Sequence, residues 1–200
     1  DLQAILKQLY QLSESRGKES AGIHAYLPEH RQAWTLKGDV PATTLIKTAQ
    51  YKSVIESVIS KVFQADKIET TTPLVLLAHS RLVTNGAAEQ YENNQPVRFG
   101  GVTMIHNGII VNVDSLWSCQ QHLKRNSEVD TEIIAALIDD ALNKGMDVAQ
   151  ATGVAYREIQ GTASIAWTFD LSRQVVLATN TGDLYMLHDI AQQVAIFASE

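Results

Sequence analysis

The stretch MIHNGIIVN, Met104 to Asn112, decides how the chain is read. Apolar residues lead in from Val102, and His-Asn-Gly then interrupts them before Ile109, Ile110 and Val111 resume the run. Strand interiors disfavour Asn and Gly. One explanation is a two-residue hairpin turn, for which Asn-Gly is a strong signal. The other is that an Asn amide and a Gly N–H are presented to a ligand.

Working outward, Leu2, Ile5, Leu6, Leu9 and Leu12 recur at steps of three and four and predict a helix. SAGIHAYLP reads as a strand ended by Pro28, and QAWTLKG as its hairpin partner. Residues 43–63 carry a second helical pattern, and PLVLLAHS is short and apolar enough for a buried strand. A polar loop is expected from Asn85 to Gly101, then helices over 114–124, 130–144 and 147–159. Four strand-like runs follow: ASIAWTF, VVLAT, LYMLH and VAIFAS. Strands towards both ends with long helices between them predict an α+β layered architecture. Regular strand-helix alternation is missing, which argues against a doubly wound sheet.

Composition narrows the function. A chain of 200 residues, 45% hydrophobic and 19% charged, suits one globular domain. A net charge of -6 argues against nucleic acid as a partner, since phosphate binding needs clustered Lys and Arg. The single cysteine, Cys119, excludes an internal disulfide framework and fits a reducing, cytoplasmic setting. It lies in LWSCQQHL, whose helical spacing predicts a core or half-buried thiol. No apolar run reaches the roughly 18 residues of a membrane span. Neither a G-x-G-x-x-G nor a Walker-type loop occurs, and the six histidines show no paired metal-ligand spacing, so no cofactor or metal is expected. Trp34, Trp117 and Trp167 fall in amphipathic stretches and read as core.

Four polar clusters sit where apolar patterns end: SRGKESAG (Ser15–Gly22), AHSRLVTNG (Ala78–Gly86), IHNG (Ile105–Gly108) and VDTE (Val129–Glu132). Singly, each has a structural explanation: a helix C-cap and turn, a surface ion pair, a hairpin turn, and an N-cap with Asp130 or Thr131 capping. Together they supply an Arg fork for a carboxylate, an Asp for an ammonium, and an Asn amide beside a Gly N–H for a developing oxyanion. That set suits an α-amino acid whose side-chain carbonyl is polarised. A serine hydrolase, using Ser20 or Ser80 beside His79, is a weaker reading. The nucleophile elbow G-x-S-x-G is missing, and adjacent strand residues point to opposite faces.

In order and spacing, Arg16–Gly22, His79–Gly86, His106–Asn112 and Asp130–Ile134 resemble the glutaminase domain of class II glutamine amidotransferases, and most of all its glucosamine-6-phosphate synthase branch. The resemblance covers nearly the whole chain. It implies an N-terminal-nucleophile hydrolase fold, a four-layer αββα sandwich of two antiparallel sheets between helix layers, in one domain over residues 1–200. It implies hydrolysis of glutamine to glutamate and ammonia for an acceptor, expected to be a sugar phosphate bound by an isomerase domain or subunit, and a homodimer. By position, Asn107 and Gly108 form the oxyanion hole. Arg81 holds the α-carboxylate, Asp130 holds the α-ammonium, and Thr84 and Gly86 shape the pocket wall.

The family's nucleophile is an N-terminal cysteine whose own α-amine serves as base. No such cysteine is in this sequence. The first helix starts without a cap sequence beyond Asp1, so the expectation is that a short first strand with Cys-Gly-Ile precedes it, and that the chain as written does not hydrolyse glutamine. The alternative is a catalytically inactive domain that binds glutamine or a partner. Further departures are Leu82 for an aromatic residue, Asn85 and Gln95 for histidines, and Glu19 for Asp.

Overall fold

The chain folds as an α+β sandwich in which two antiparallel sheets lie between helical layers. A computed structural model describes residues 2–63, 72–82, 86–170 and 172–199. The elements begin with α1 (Leu2–Ser13), β1 (Ser20–Leu27), β2 (Gln32–Gly38), α2 (Ala42–Leu45), α3 (Ala49–Val62) and β3 (Val75–Arg81). They continue with β4 (Val97–Phe99), β5 (Val102–Ile110), α4 (Val113–Cys119), α5 (Thr131–Asn143) and α6 (Val148–Glu158). The chain then closes with β6 (Gly161–Phe169), β7 (Val175–Thr179), β8 (Tyr185–Asp189) and β9 (Val194–Ala198). The first sheet has the order β2-β1-β3 and the second β4-β5-β6-β7, while β8 and β9 pair as a hairpin.

Side-chain alternation assigns the faces. On β1, Ala21, Ile23, Ala25 and Leu27 pack with α1, α2 and α3 through Leu6, Tyr10, Leu45, Tyr51, Ile55 and Val58. On the second sheet, Met104, Ile110, Ala163, Ile165 and Trp167 face α5 and α6, against Ile133, Ile134, Leu137, Ile138, Ala151 and Ala155. Each fully buried aliphatic residue of this kind contributes about 1.5–3 kcal/mol. The opposite faces carry Ser20, Gly22, His24 and Tyr26 on β1, and Thr103, Asn107, Ser164 and Thr168 on β5 and β6. Apolar surface therefore lies against the helices, and polar groups lie on the remaining faces. This is the layering the resemblance implies.

Three local expectations change. The helical pattern over 43–63 breaks into two pieces, because Thr48 leaves the helix and its hydroxyl accepts the Tyr51 N–H as the N-cap of α3. The stretch expected to be a loop from Asn85 to Gly101 contains β4, and Gly100–Gly101 is the hairpin turn into β5. Asp139 on α5 secures that turn by accepting the Gly101 N–H at 2.8 Å. Cys119 ends α4 in an exposed position, since the helix stops there and its apolar side turns elsewhere.

Gly22 fixes how the loop before β4 lies on the first sheet. A Cβ there would sit 2.1 Å from the Gln95 carbonyl oxygen and 3.0 Å from the Pro96 ring. Gly22→Ala should lower the unfolding free energy by about 1–3 kcal/mol, the usual cost of forcing extra volume into packed structure. An unchanged denaturant midpoint would show that the loop does not rest there.

Candidate functional site

The question posed by His106-Asn107-Gly108 has a structural answer. All three lie inside β5 and pair with β6 along its length, His106 with Ile165, Asn107 with Ser164 and Gly108 with Ala163. The pair is not a turn. Gly108 has φ 145°, a conformation that favours glycine, and a Cβ there would lie 2.0 Å from the Thr162 carbonyl oxygen.

What distinguishes this part of β5 is its other edge. Strand β4 is only three residues long and stops at Val97, opposite Met104. Pro96 has no N–H with which to extend the ladder. In place of backbone, the Gln95 side chain supplies the next rung: its oxygen accepts the His106 N–H at 2.6 Å and its nitrogen donates to the His106 carbonyl at 2.9 Å. Two rungs further on, Asp130 Oδ2 accepts the Ile110 N–H at 2.9 Å. By alternation the Gly108 N–H belongs to this same edge, between a carboxamide and a carboxylate.

Asp130 stands at the N-cap position of α5 but makes no side-chain cap bond there. Its carboxylate is turned to β5 instead, with Oδ1 3.7 Å from His106 Nδ1. The expected capping role is therefore not the one the residue performs. Both His106 ring nitrogens are engaged, Nδ1 with the Thr131 hydroxyl and Nε2 with the Thr162 carbonyl, each at 3.3 Å. A carbonyl only accepts, so Nε2 is the donor in that contact.

Arg81, at the end of β3, is 4% exposed. It donates from Nη1 to Asn94 Oδ1 at 3.1 Å and from Nη2 to the Gly86 carbonyl at 3.0 Å. A Cβ on Gly86, whose φ is 76°, would lie 2.7 Å from the Asn93 carboxamide, which explains glycine at that turn. Asn93 is itself held by Glu128, through the Glu128 N–H and carboxylate, both at 2.9 Å. Glu128 is fixed in turn by Glu132, whose carboxylate accepts the Asn126 N–H and the Ser127 N–H and hydroxyl.

Charge follows the same layout. Burial works to weaken the Arg81 cation, and the fields of Asp130 and Glu19 oppose that loss. At Asp130 burial works to raise the carboxyl pKa, but hydrogen bonding and charge from His106 and the Ile110 N–H outweigh it, so the group lies below the ordinary carboxylate range. Removal from water drives His79 down to about 4, with the His106 and Arg81 charges acting in the same direction. Desolvation also takes His24 to about 4.

Arg81, Gly86 and Asp130 are thus linked through Asn94, Gln95 and His106, and Gly108 lies on the same strand edge. Asn107 projects from the opposite face of β5 to His106, and its amide donates to the Ser199 hydroxyl at 3.3 Å. Thr84 lies outside the described residues. A groove of about 750 Å³ between the α5–α6 turn and β7, and a cleft of about 340 Å³ along Ile110–Ser115, Arg125 and Glu128, are lined by none of Arg81, Gly86, Asn107, Gly108 or Asp130. Ser80 bonds the Ser13 hydroxyl at 2.7 Å and not His79, so no Ser-His pair forms there. Ser20, opposite Arg81 in the ladder, is buried, and its hydroxyl has no partner among the described residues. No group of His, Cys, Asp and Glu suited to a metal ion occurs among the described residues, and no described helix is long and apolar enough to cross a membrane. The sequence reading missed the roles of Asn93, Asn94 and Gln95. Three adjacent amide side chains in a loop are an ordinary surface signal until burial is known.

Comparison with known proteins bears on the family and the fold. A family model described as a glutamine amidotransferase domain matches residues 79–200. The chain is 30% identical over 174 residues, 86% of its length, to a glutamine–fructose-6-phosphate aminotransferase (isomerizing) of Sulfurisphaera tokodaii, of which it covers 26%. It is 28% identical over 171 residues to the enzyme of that name from Caulobacter vibrioides, covering 84% of this chain and 25% of the relative. The chain therefore spans about a quarter of the length of these curated relatives. Among solved structures, glutamine phosphoribosylpyrophosphate amidotransferase from B. subtilis superposes with a TM-score of 0.61 at 21% identity, over 90% of this chain and 35% of that one. A structure titled as the allosteric regulatory enzyme of purine biosynthesis gives 0.69 at 20% identity, over 98% and 38%.

The two depressed histidines generate a stability prediction. The unfolded chain takes up a proton at each near pH 6.5, whereas the folded chain resists until about 4. Their contribution is fully present above pH 6.5 and is lost as pH falls towards 4, by at most about 1.4 kcal/mol per pH unit for each group. Urea unfolding of His79→Gln should show a shallower loss of stability between pH 6.5 and 4.5 than the parent. An unchanged slope would mean that His79 protonates freely in the folded state.

Proposed function

The chain belongs to the glutamine amidotransferase domain family, and on that premise we propose that it binds glutamine with Arg81 and Asp130 and polarises its amide with Asn107 and Gly108. The observation that carries the reading is a buried cation and a buried carboxylate, 4% and 6% exposed, joined through Asn94, Gln95 and His106 beside a strand edge. A free amino acid carries the matching pair of charges. The α-carboxylate meets the Arg81 guanidinium, whose planar fork suits it. The α-ammonium meets Asp130, which stays ionised because its pKa is held down. Gly86, whose carbonyl accepts from Arg81 Nη2, borders the bound amino acid in this reading.

The reaction is hydrolysis of the glutamine side-chain amide to glutamate and ammonia. A thiolate attacks the amide carbon, the carbonyl oxygen gains negative charge, and the Asn107 amide and Gly108 N–H stabilise it. The proton taken from the thiol passes to the departing nitrogen, which leaves as ammonia, and water then releases glutamate from the thioester and regenerates the thiol. Cys119 does not supply the thiol, since it is exposed at the far end of α4. The nucleophile this reading calls for is the family's cysteine thiol, which these 200 residues do not supply. The described residues form one glutaminase domain, and the acceptor is a sugar phosphate held by an isomerase domain or subunit, as the names of the relatives suggest. The competing reading is a domain that holds glutamine without cleaving it, favoured by the lack of any second cysteine in the sequence.

Ammonia release and glutamine binding, measured on the complete protein, separate the two. In an active protein Asn107→Ala should lower kcat by about 100-fold or more, the scale of one lost oxyanion donor. Arg81→Lys should raise KM for glutamine at least about tenfold while affecting kcat less, because the fork is used in ground and transition states alike. Equal kcat in the Asn107 variant, or an unaltered KM in the Arg81 variant, would remove the corresponding assignment.

A further inference from the structure

Three consecutive carboxamides, Asn93, Asn94 and Gln95, remain unused by the chemistry above, yet all are buried, at 0%, 2% and 7% exposed. Carboxamides at such depth are costly unless their hydrogen bonds are satisfied. Each of these is satisfied, and each by a different wall of the site. Gln95 bonds both backbone groups of His106, the residue before Asn107. Asn94 Oδ1 receives the Arg81 guanidinium, and its Nδ2 donates to the Ala88 carbonyl at 2.6 Å. The Asn94 carbonyl also accepts from Lys37 at 2.9 Å, which ties the loop to β2. Asn93 joins the Gly86 turn to Glu128.

We infer that Gln95 and Asn94 are positioning residues, Gln95 setting the strand that carries the oxyanion donors and Asn94 setting the guanidinium that grips the carboxylate. The inference deepens the amidotransferase reading and rests on it. Neither side chain need touch glutamine. A peptide has one N–H and one C=O on an edge, and a primary carboxamide offers the complementary acceptor and donor at the same spacing. Gln95 therefore substitutes for a β4 residue that the chain, turning away at Pro96, does not provide. Without it the buried His106 N–H loses its partner and the His106 carbonyl keeps only the His79 ring, and the strand relieves the unpaired N–H by shifting. Such a shift moves Asn107 and Gly108, which act on the oxyanion. Loss of Asn94 leaves that strand in place and removes the acceptor that holds Arg81 Nη1.

The two residues thus predict opposite kinetic signatures in the complete, active protein. Gln95→Leu should lower kcat for glutamine hydrolysis by about tenfold or more with KM within about threefold, as expected for misplaced groups that act in the transition state. Asn94→Leu should raise KM by about tenfold with kcat within about threefold. Gln95→Glu keeps the oxygen facing the His106 N–H but sets a carboxylate oxygen against the His106 carbonyl, so its kcat should also fall below the parent's. If Gln95→Leu does not fold, the Gln95→Glu result decides: a kcat equal to the parent's overturns the inference. Hydrogen exchange of the His106 amide gives a readout free of catalysis, and Gln95→Leu should speed it at least about tenfold relative to Met104, which keeps its β4 partner. Equal exchange, or the same kinetic change from both residues, overturns the inference. A parent protein that neither binds nor hydrolyses glutamine removes the functional reading instead, and the exchange measurement still judges the placement of β5.

Discussion

An edge strand must find partners for its outward peptide groups, and β5 runs well past the end of β4. The site is built from the way this need is met. The first rung beyond β4 is filled by the Gln95 carboxamide and the third by the Asp130 carboxylate. Gly108 occupies the rung between them. Buried backbone groups left unpaired are expensive, so the substitute partners are structural necessities. They also place a negative charge and a rigid amide on either side of the position assigned to oxyanion binding.

From that edge the constraint spreads to the rest of the molecule. Gln95 can reach His106 only if its backbone lies over β1, which Gly22 permits by lacking a Cβ. Asn94, next in the chain, then meets Arg81 from β3, so the loop connects the two sheets through a cation. Glu132 and Glu128 anchor the loop's other side to the first turn of α5. The helix layers hold this framework by apolar packing, whereas the polar interior of the sandwich supplies the specificity. Fold and proposed site are therefore not separable here: the groups that complete the sheet, Gln95 and Asp130, flank the strand position proposed to bind the oxyanion.

How far the sequence discloses this depends on the length scale of each signal. Long periodic stretches such as Thr131–Asn143 and Gly161–Phe169 are readable, since many residues repeat one spacing. Apolar runs flank His106-Asn107-Gly108 on both sides whether the pair turns or continues, so the strand is settled only by its pairing with β6. By contrast β4 has three residues, Val97, Arg98 and Phe99, too few for alternation to register, so it passes as loop. The break at Thr48 depends on one hydroxyl and leaves the helical periodicity almost intact. Arg81 and Asp130 stand out through their place in four ordered motifs. Asn93, Asn94 and Gln95 do not, because a polar run in sequence looks the same whether it faces water or is buried against a neighbouring strand.

The central claim is that an amino acid binds at the β5 edge between Asp130 and Arg81. Titration of the isotopically labelled protein with L-glutamine, followed by backbone and side-chain amide resonances, tests it most directly. The account predicts saturable shifts centred on Gly108, Ile110, the Asn107 carboxamide and the Arg81 guanidinium. Shifts confined to the groove formed by Leu142, Met146, Val148 and Val176, with the β5 resonances unmoved, would contradict it.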